Sequence, residues 1–167
     1  MAIHDTLLPE FDQEMANTRK MLASAPQEHF DFQPHAKSFK LDRLAGHVAD
    51  LPSWVPMTLH TEVLELEAGK FTPFVPNSSQ DLLAHFDKHV REARAAIAKA
   101  SDEEMNTMWS MKWEGKTVLT MPRITVLRSM VMNHTIHHRA QLGVYLRLCD
   151  IAVPGMYGPS ADEKPSD

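Results

Sequence analysis

The stretch Asn133-His134-Thr135-Ile136-His137-His138-Arg139 lies in the last long helical segment of the chain, and its reading decides the fold. His134 and His138 stand four apart, which at about 3.6 residues per turn puts both imidazoles on one helix face. Around them Leu127, Val131, His134, His138, Gln141 and Tyr145 recur at helical spacing, and this stripe is expected to be the buried face. Two polar rings in a core cost free energy unless each finds a hydrogen bond or a metal. Pro122 suits the first turn of this helix, which should end at about Arg147.

Working outward, Trp109, Met111 and Trp113 alternate with polar residues, and Glu114-Gly115-Lys116 supplies a turn before Val118 and Thr120. This is expected to be a small β-hairpin, the one place with a strand signal, with both tryptophans sealing it onto the helices. Upstream, Ser101-Asp102-Glu103-Glu104 reads as a capped short turn. Ser78 or Ser79 opens a helix that turns Leu82, Leu83, Phe86, Val90, Ala93 and Ile97 inward and stops near Ala100. The run from Gly69 to Ser79 is a loop. Another helix begins near Leu41 with Leu44, His47, Val48, Leu51 and Val55 inward, and Pro52 and Pro56 predict a kink or break near Leu51. Ser24 to Lys40 is a connection with at most one helical turn at Gln27 to Phe30. The first helix runs from Thr6 to about Ala23 with Asp5 as N-cap. The fold class is therefore all-α: a four-helix bundle with a small β-hairpin before the last helix. Residues 1–167 are expected to form a single domain, irregular from about Val153 and mobile at the very end.

Composition narrows the function classes. The chain has 167 residues, of which 43% are hydrophobic and 23% charged, enough for one domain with a substantial core. A formal net charge of −5 and scattered Lys and Arg offer no basic stripe, so no nucleic acid and no anionic membrane partner is expected. Cys149 is the single cysteine, which rules out an intrachain disulfide and a multi-cysteine zinc site. With no apolar run near the ~20 residues of a membrane span and no leader-like start, a cytoplasmic protein is expected.

His47 also faces inward, three residues after Leu44 and four before Leu51, on a different helix from His134 and His138. The three imidazoles can form a facial set for a divalent first-row ion such as Zn, Ni, Fe or Mn, with positions left open as in catalytic sites. Such an ion lowers the pKa of a bound water or thiol or polarises a carbonyl. The competing reading is core histidines satisfied by hydrogen bonds. Gln141 and His137 are candidates for contacts just outside the ligand set, Gln141 as partner of an imidazole and His137 on the shoulder of the stripe. Arg139 reads as a surface or dimer-contact residue. His85 and His89 share the four-residue spacing but fall with Asp81, Lys88 and Glu92 on a polar stripe, so they are expected to be solvated rather than ligands. Thr135 stands where a His-Glu-x-x-His metalloprotease carries its glutamate, and no Gly-rich phosphate loop is present.

Taken together, Phe32-Gln33-Pro34-His35-Ala36-Lys37-Ser38-Phe39, Leu44-Ala45-Gly46-His47-Val48, Asn133 to Leu142 and the ending Val153 to Glu163 resemble the DinB superfamily, related in fold to the bacillithiol and mycothiol S-transferases. The resemblance implies an up-down-down-up four-helix bundle, often a homodimer. It also implies a divalent metal held at positions matching His47, His134 and His138. Members with known activity use the metal to activate a low-molecular-weight thiol toward an electrophile or for isomerisation. Three readings follow: a metal-dependent thiol S-transferase or hydrolase acting on a small molecule, a non-catalytic metal- or ligand-binding stress-response protein, and a structural dimeric bundle with hydrogen-bonded histidines.

Overall fold

The computed structural model describes residues 1–163. Helix α1 (Ile3–Ala23) opens one turn before the expected start. Asp5 is therefore not its cap but lies inside the first turn, where its carboxylate accepts the Ala2 N–H at 2.9 Å. After a 3-10 turn at Gln27–His29, α2 (Leu41–Asp50) ends where Pro52 removes a donor and crowds the preceding turn. A 3-10 turn (Leu51–Ser53) leads to α3 (Trp54–His60), which tolerates Pro56 because the first-turn N–H groups need no partner. The expected break at Leu51 is thus present, and it leaves Asp50 on the last turn of α2.

Helix α4 (Ser79–Lys99) is capped by Ser78, whose hydroxyl accepts the Asp81 N–H at 3.0 Å. Helix α5 (Asp102–Asn106) is opened by a reciprocal Ser101–Glu104 capping pair. Helices α1 and α2 each pack against α4 and against the last helix, α7 (His134–Leu148), which reaches one residue beyond the expected end. Their contact carries a core that includes Leu7, Phe11, Leu44, Val48, Phe86 and Leu142. Each such fully buried side chain contributes on the order of 1.5–3 kcal/mol. No helix among the described residues is long and apolar enough to cross a membrane.

The sheet is larger than the expected hairpin. Strands β2 (Met108–Trp113) and β3 (Lys116–Pro122) pair antiparallel, and Glu114 and Gly115, at φ 49° and 73°, make the positive-φ turn that a two-residue hairpin requires. A third strand, β1 (Val63–Leu66), pairs parallel to β2, with Val63 opposite Ser110 and Leu66 opposite Trp113. Its four residues alternate exposed and half-buried, a pattern too short to stand out beside the Pro-disturbed α3. Trp109 is fully buried and its indole donates to Thr61 Oγ1 at 3.1 Å, sealing the sheet onto α3, whereas Trp113 is largely exposed.

The last helical segment departs most from its expected period. Pro122 precedes α6 (Arg123–Val126) rather than entering it, and Leu127–Asn133 then form a π-helical stretch that runs into α7. A π stretch carries more residues per turn than an α-helix and rotates everything that follows. The expected stripe continued from Leu127 and Val131 through 134, 138, 141 and 145. The observed buried stripe continues through Thr135, Arg139, Leu142 and Leu146, each one residue later. His134 and His138 consequently move from the core to its half-buried margin, and Gln141 to the exposed side.

Arg139, expected at the surface, takes the vacated core position and is 2% exposed. Its guanidinium lies 2.7 Å from the Glu14 carboxylate and donates to the Glu14 carbonyl, Thr18 Oγ1 and Tyr157 Oη. Tyr157 in turn donates to Glu14 Oε2 at 2.8 Å. Breaking a buried pair of this kind costs about 3–5 kcal/mol. The irregular tail is held by this network, by the Arg147–Asp162 ion pair and by the Gly155 N–H on Glu163 at 2.7 Å. The expected mobility of the very end falls on residues outside those described.

Candidate metal centre

Helix α2 brings His47 to α7, and the structure gathers His47, His134 and His138 into one half-buried group that could hold a metal ion. The Nε2 atoms of His134 and His138 are 2.9 Å apart, and those of His47 and His134 are 3.4 Å apart. Zn–N bonds of roughly 2.0–2.1 Å imply ligand-to-ligand edges of about 3.3 Å in a tetrahedral site and about 3 Å between cis ligands of an octahedral one. The His134–His138 edge of 2.9 Å matches the octahedral value and the His47–His134 edge of 3.4 Å the tetrahedral one, so both are of metal-site size without selecting one geometry.

The other ring nitrogens determine what the Nε2 atoms can do. His134 Nδ1 is 3.3 Å from the Met130 carbonyl, and His138 Nδ1 is 2.7 Å from Gln141 Oε1. Both partners are oxygens that only accept, so each Nδ1 carries the hydrogen and each neutral Nε2 presents a lone pair. The Gln141 orientation is supported by its amide nitrogen, which lies 3.2 Å from His137 Nε2. Two lone pairs 2.9 Å apart cannot hydrogen-bond to each other; a cation between them resolves the repulsion. A proton is the poorer candidate. Burial, reinforced by the neighbouring histidines, pushes His47 down from 6.5 to about 4, and burial is the main cause that lowers His134 and His138.

Beside His138 opens a cleft of about 430 Å³, within the size range of small-molecule sites. Lys37, Phe39, Leu44, Gln141 and Tyr145 line it, and Tyr145 donates to the Phe39 carbonyl at 3.2 Å. Cys149 lies outside this lining, and burial, followed by the nearby Asp150, raises its thiol pKa, the reverse of an activated nucleophile. Gln141 and His137 thus sit against the histidine set, Gln141 through His138 and His137 through Gln141.

A second group escaped the sequence reading. His85 and His89, expected to be solvated, are half-buried, and with Asp50 they form another set whose ligand atoms lie within 4.8 Å of one another. The cause is the loop before α4. It crosses α2 at Gly46, where an added Cβ would stand 2.5 Å from the Phe74 carbonyl, and it lays the Phe74 ring on His85 at 3.7 Å and 4°. Helical period cannot reveal a loop that covers a polar stripe. The signals available were the apolar Phe71 to Val75 within that loop and the placement of Asp50 one turn after His47.

Comparison with known proteins places the chain. It is 25% identical over 163 residues to the YrdA protein of Bacillus subtilis (strain 168), covering 95% of this chain and 90% of that one. A DinB-like protein from Bacillus cereus ATCC 10987 shares the fold with a TM-score of 0.70 at 24% identity, over 93% of this chain and 98% of the other. A second DinB-like protein, YjoA from Bacillus subtilis, superposes with a TM-score of 0.68 at 15% identity, over 90% and 97% of the two chains. The model of the DinB family matches residues 1–166, and the chain belongs to that family.

Proposed function

We propose that His47, His134 and His138 hold a divalent first-row ion, and that the chain is a metal-dependent enzyme acting on a small electrophile in the adjoining cleft. The observation that carries this reading is the 2.9 Å approach of two Nε2 atoms whose Nδ1 hydrogens are committed to carbonyl oxygens. When bound, the ion supplies Lewis acidity that lowers the pKa of a thiol or water. The chain's own residues do the rest. Gln141 holds the tautomer and plane of His138, Leu44 and Phe39 keep one side of the cleft apolar, and Lys37 at its edge favours a substrate or cosubstrate carrying negative charge. None of the lining residues is a carboxylate, so a group that is acidified by the ion and needs no strong general base suits this site. A low-molecular-weight thiol fits that requirement better than water.

The packing of α1 and α2 on α4 and α7 supports a four-helix arrangement in one domain, for which the family resemblance implies up-down-down-up directions. Exposed Val144 and Leu148, four apart on α7, support a homodimer. The test of function is thiol consumption by untagged, metal-loaded protein offered glutathione, bacillithiol or mycothiol with a panel of alkyl and epoxide electrophiles. Turnover that disappears in His134→Ala is expected. Metal binding without turnover across the panel would favour a metal-binding protein with no catalytic role.

A further inference from the structure

Outside the three-histidine set, the chain assembles a second group of different chemistry. Asp50 closes α2, and His85 and His89 stand four apart on α4. His85 Nε2 is 2.9 Å from Asp50 Oδ1, and the two rings lie 4.3 Å apart at 65°. His89 Nδ1 makes no hydrogen bond and has the Glu92 carboxylate 3.2 Å away. One candidate ligand atom from each of Asp50, His85 and His89 lies within 4.8 Å of the other two, close enough for a single cation to meet all three residues.

The His85 ring is also preorganised. Phe74 stacks on it face to face, and that loop can approach only because residue 46 is glycine. Rigid support behind a half-buried polar group is what a binding site needs and a solvated surface histidine lacks.

We propose that Asp50, His85 and His89 form a second divalent-cation site, selective for a borderline first-row ion such as Zn²⁺, Fe²⁺ or Co²⁺. Two imidazoles and one carboxylate are the donor set that such ions take with open positions. The carboxylate sets this site apart from the all-imidazole one, because it brings a negative charge to offset the ion's. Asp50 follows His47 by three residues, about 4.5 Å along the axis of α2, so one helix contributes a ligand to each site.

The test is calorimetric and optical titration of chelator-stripped, untagged full-length protein with Co²⁺. The wild type is expected to bind two ions per chain. Asp50→Asn, isosteric and at a helix end, and His89→Gln should each lose one ion and keep the one that His134→Ala removes. His134→Ala should in turn keep the ion that Asp50→Asn removes. Far-UV circular dichroism checks each variant's fold, and Asp50→Asn alone decides the matter if His89→Gln fails to fold. A wild type that binds only the ion lost in His134→Ala, or an Asp50→Asn protein that still binds two, overturns the second site. A single ion lost in Asp50→Asn but retained in His134→Ala would support this site and overturn the three-histidine one.

Discussion

His134/His138 and His85/His89 are two pairs with the same four-residue spacing on two long helices, yet their surroundings differ in kind. In α7 each Nδ1 is tied to a carbonyl oxygen, so both Nε2 lone pairs converge on each other and on His47. In α4 one ring is tied to a carboxylate and stacked on Phe74, and the other has a buried nitrogen without a hydrogen bond. Spacing brings a pair together; the atoms on the far side of each ring decide which nitrogen is left to bind. The all-imidazole set should therefore be sensitive to its tautomer-fixing partners and to protons, and the mixed set to the loop that holds His85.

The largest expected effect is that of pH. His47 is held down to about 4 and His134, His138 and His89 are lowered from 6.5, chiefly by burial, so between about 6.5 and 4 the unfolded chain binds more protons than the folded one. The stability of the metal-free protein is fully present above that window and falls as pH drops through it. Urea unfolding of metal-free protein from pH 7 to 4 should show a falling midpoint, and His47→Gln should flatten the fall. An unchanged slope in that variant would mean that the imidazole cluster is not the cause.

Next in size is Gln141→Leu, which removes the acceptor that fixes the His138 tautomer. Loss of such an outer partner weakens metal binding by about 10–100-fold. Because Gln141 is exposed, stability should move by less than about 0.5 kcal/mol. Competition with a chelating dye measures the affinity, and the Asp50–His85–His89 site should be unaffected. Equal weakening at both sites would erase the distinction between them.

The effect on metal binding at the three histidines is smallest for Gly46→Ala, which acts on the other site. A methyl group 2.5 Å from the Phe74 carbonyl forces the loop outward at a cost of about 1–3 kcal/mol. Proton NMR of the imidazoles should show His85 shifted by loss of the Phe74 ring current, with His134 and His138 unmoved. A His85 resonance that stays in place would show that the loop does not position it.

Much of this was legible from residue pattern, and the failures share a physical origin. Helix existence, the Pro52 break, the Ser78 and Ser101 caps and the Glu114-Gly115 turn follow from local chemistry, which the sequence carries directly. The grouping of His47 with His134 and His138 was also expected, but as core positions, whereas the three rings meet at a half-buried margin. What helical period could not carry was the π stretch at Leu127–Asn133, a one-residue slip that exchanges His134 and His138 for Thr135 and Arg139 in the core. Nor could it carry contacts between distant segments. Strand β1 exists because β2 offers it an edge, Arg139 is buried because Glu14 and Tyr157 await it, and His85 is covered because the Phe74 loop folds over α4.

The most direct measurement isolates the three histidines. In a chain carrying Asp50→Asn and His89→Gln, stripped and reloaded with Zn²⁺ and then gel-filtered, metal analysis should find one zinc per chain, and adding His134→Ala should remove it. A zinc-free parent, or a zinc content that His134→Ala leaves unchanged, would contradict the assignment of His47, His134 and His138 as the metal centre.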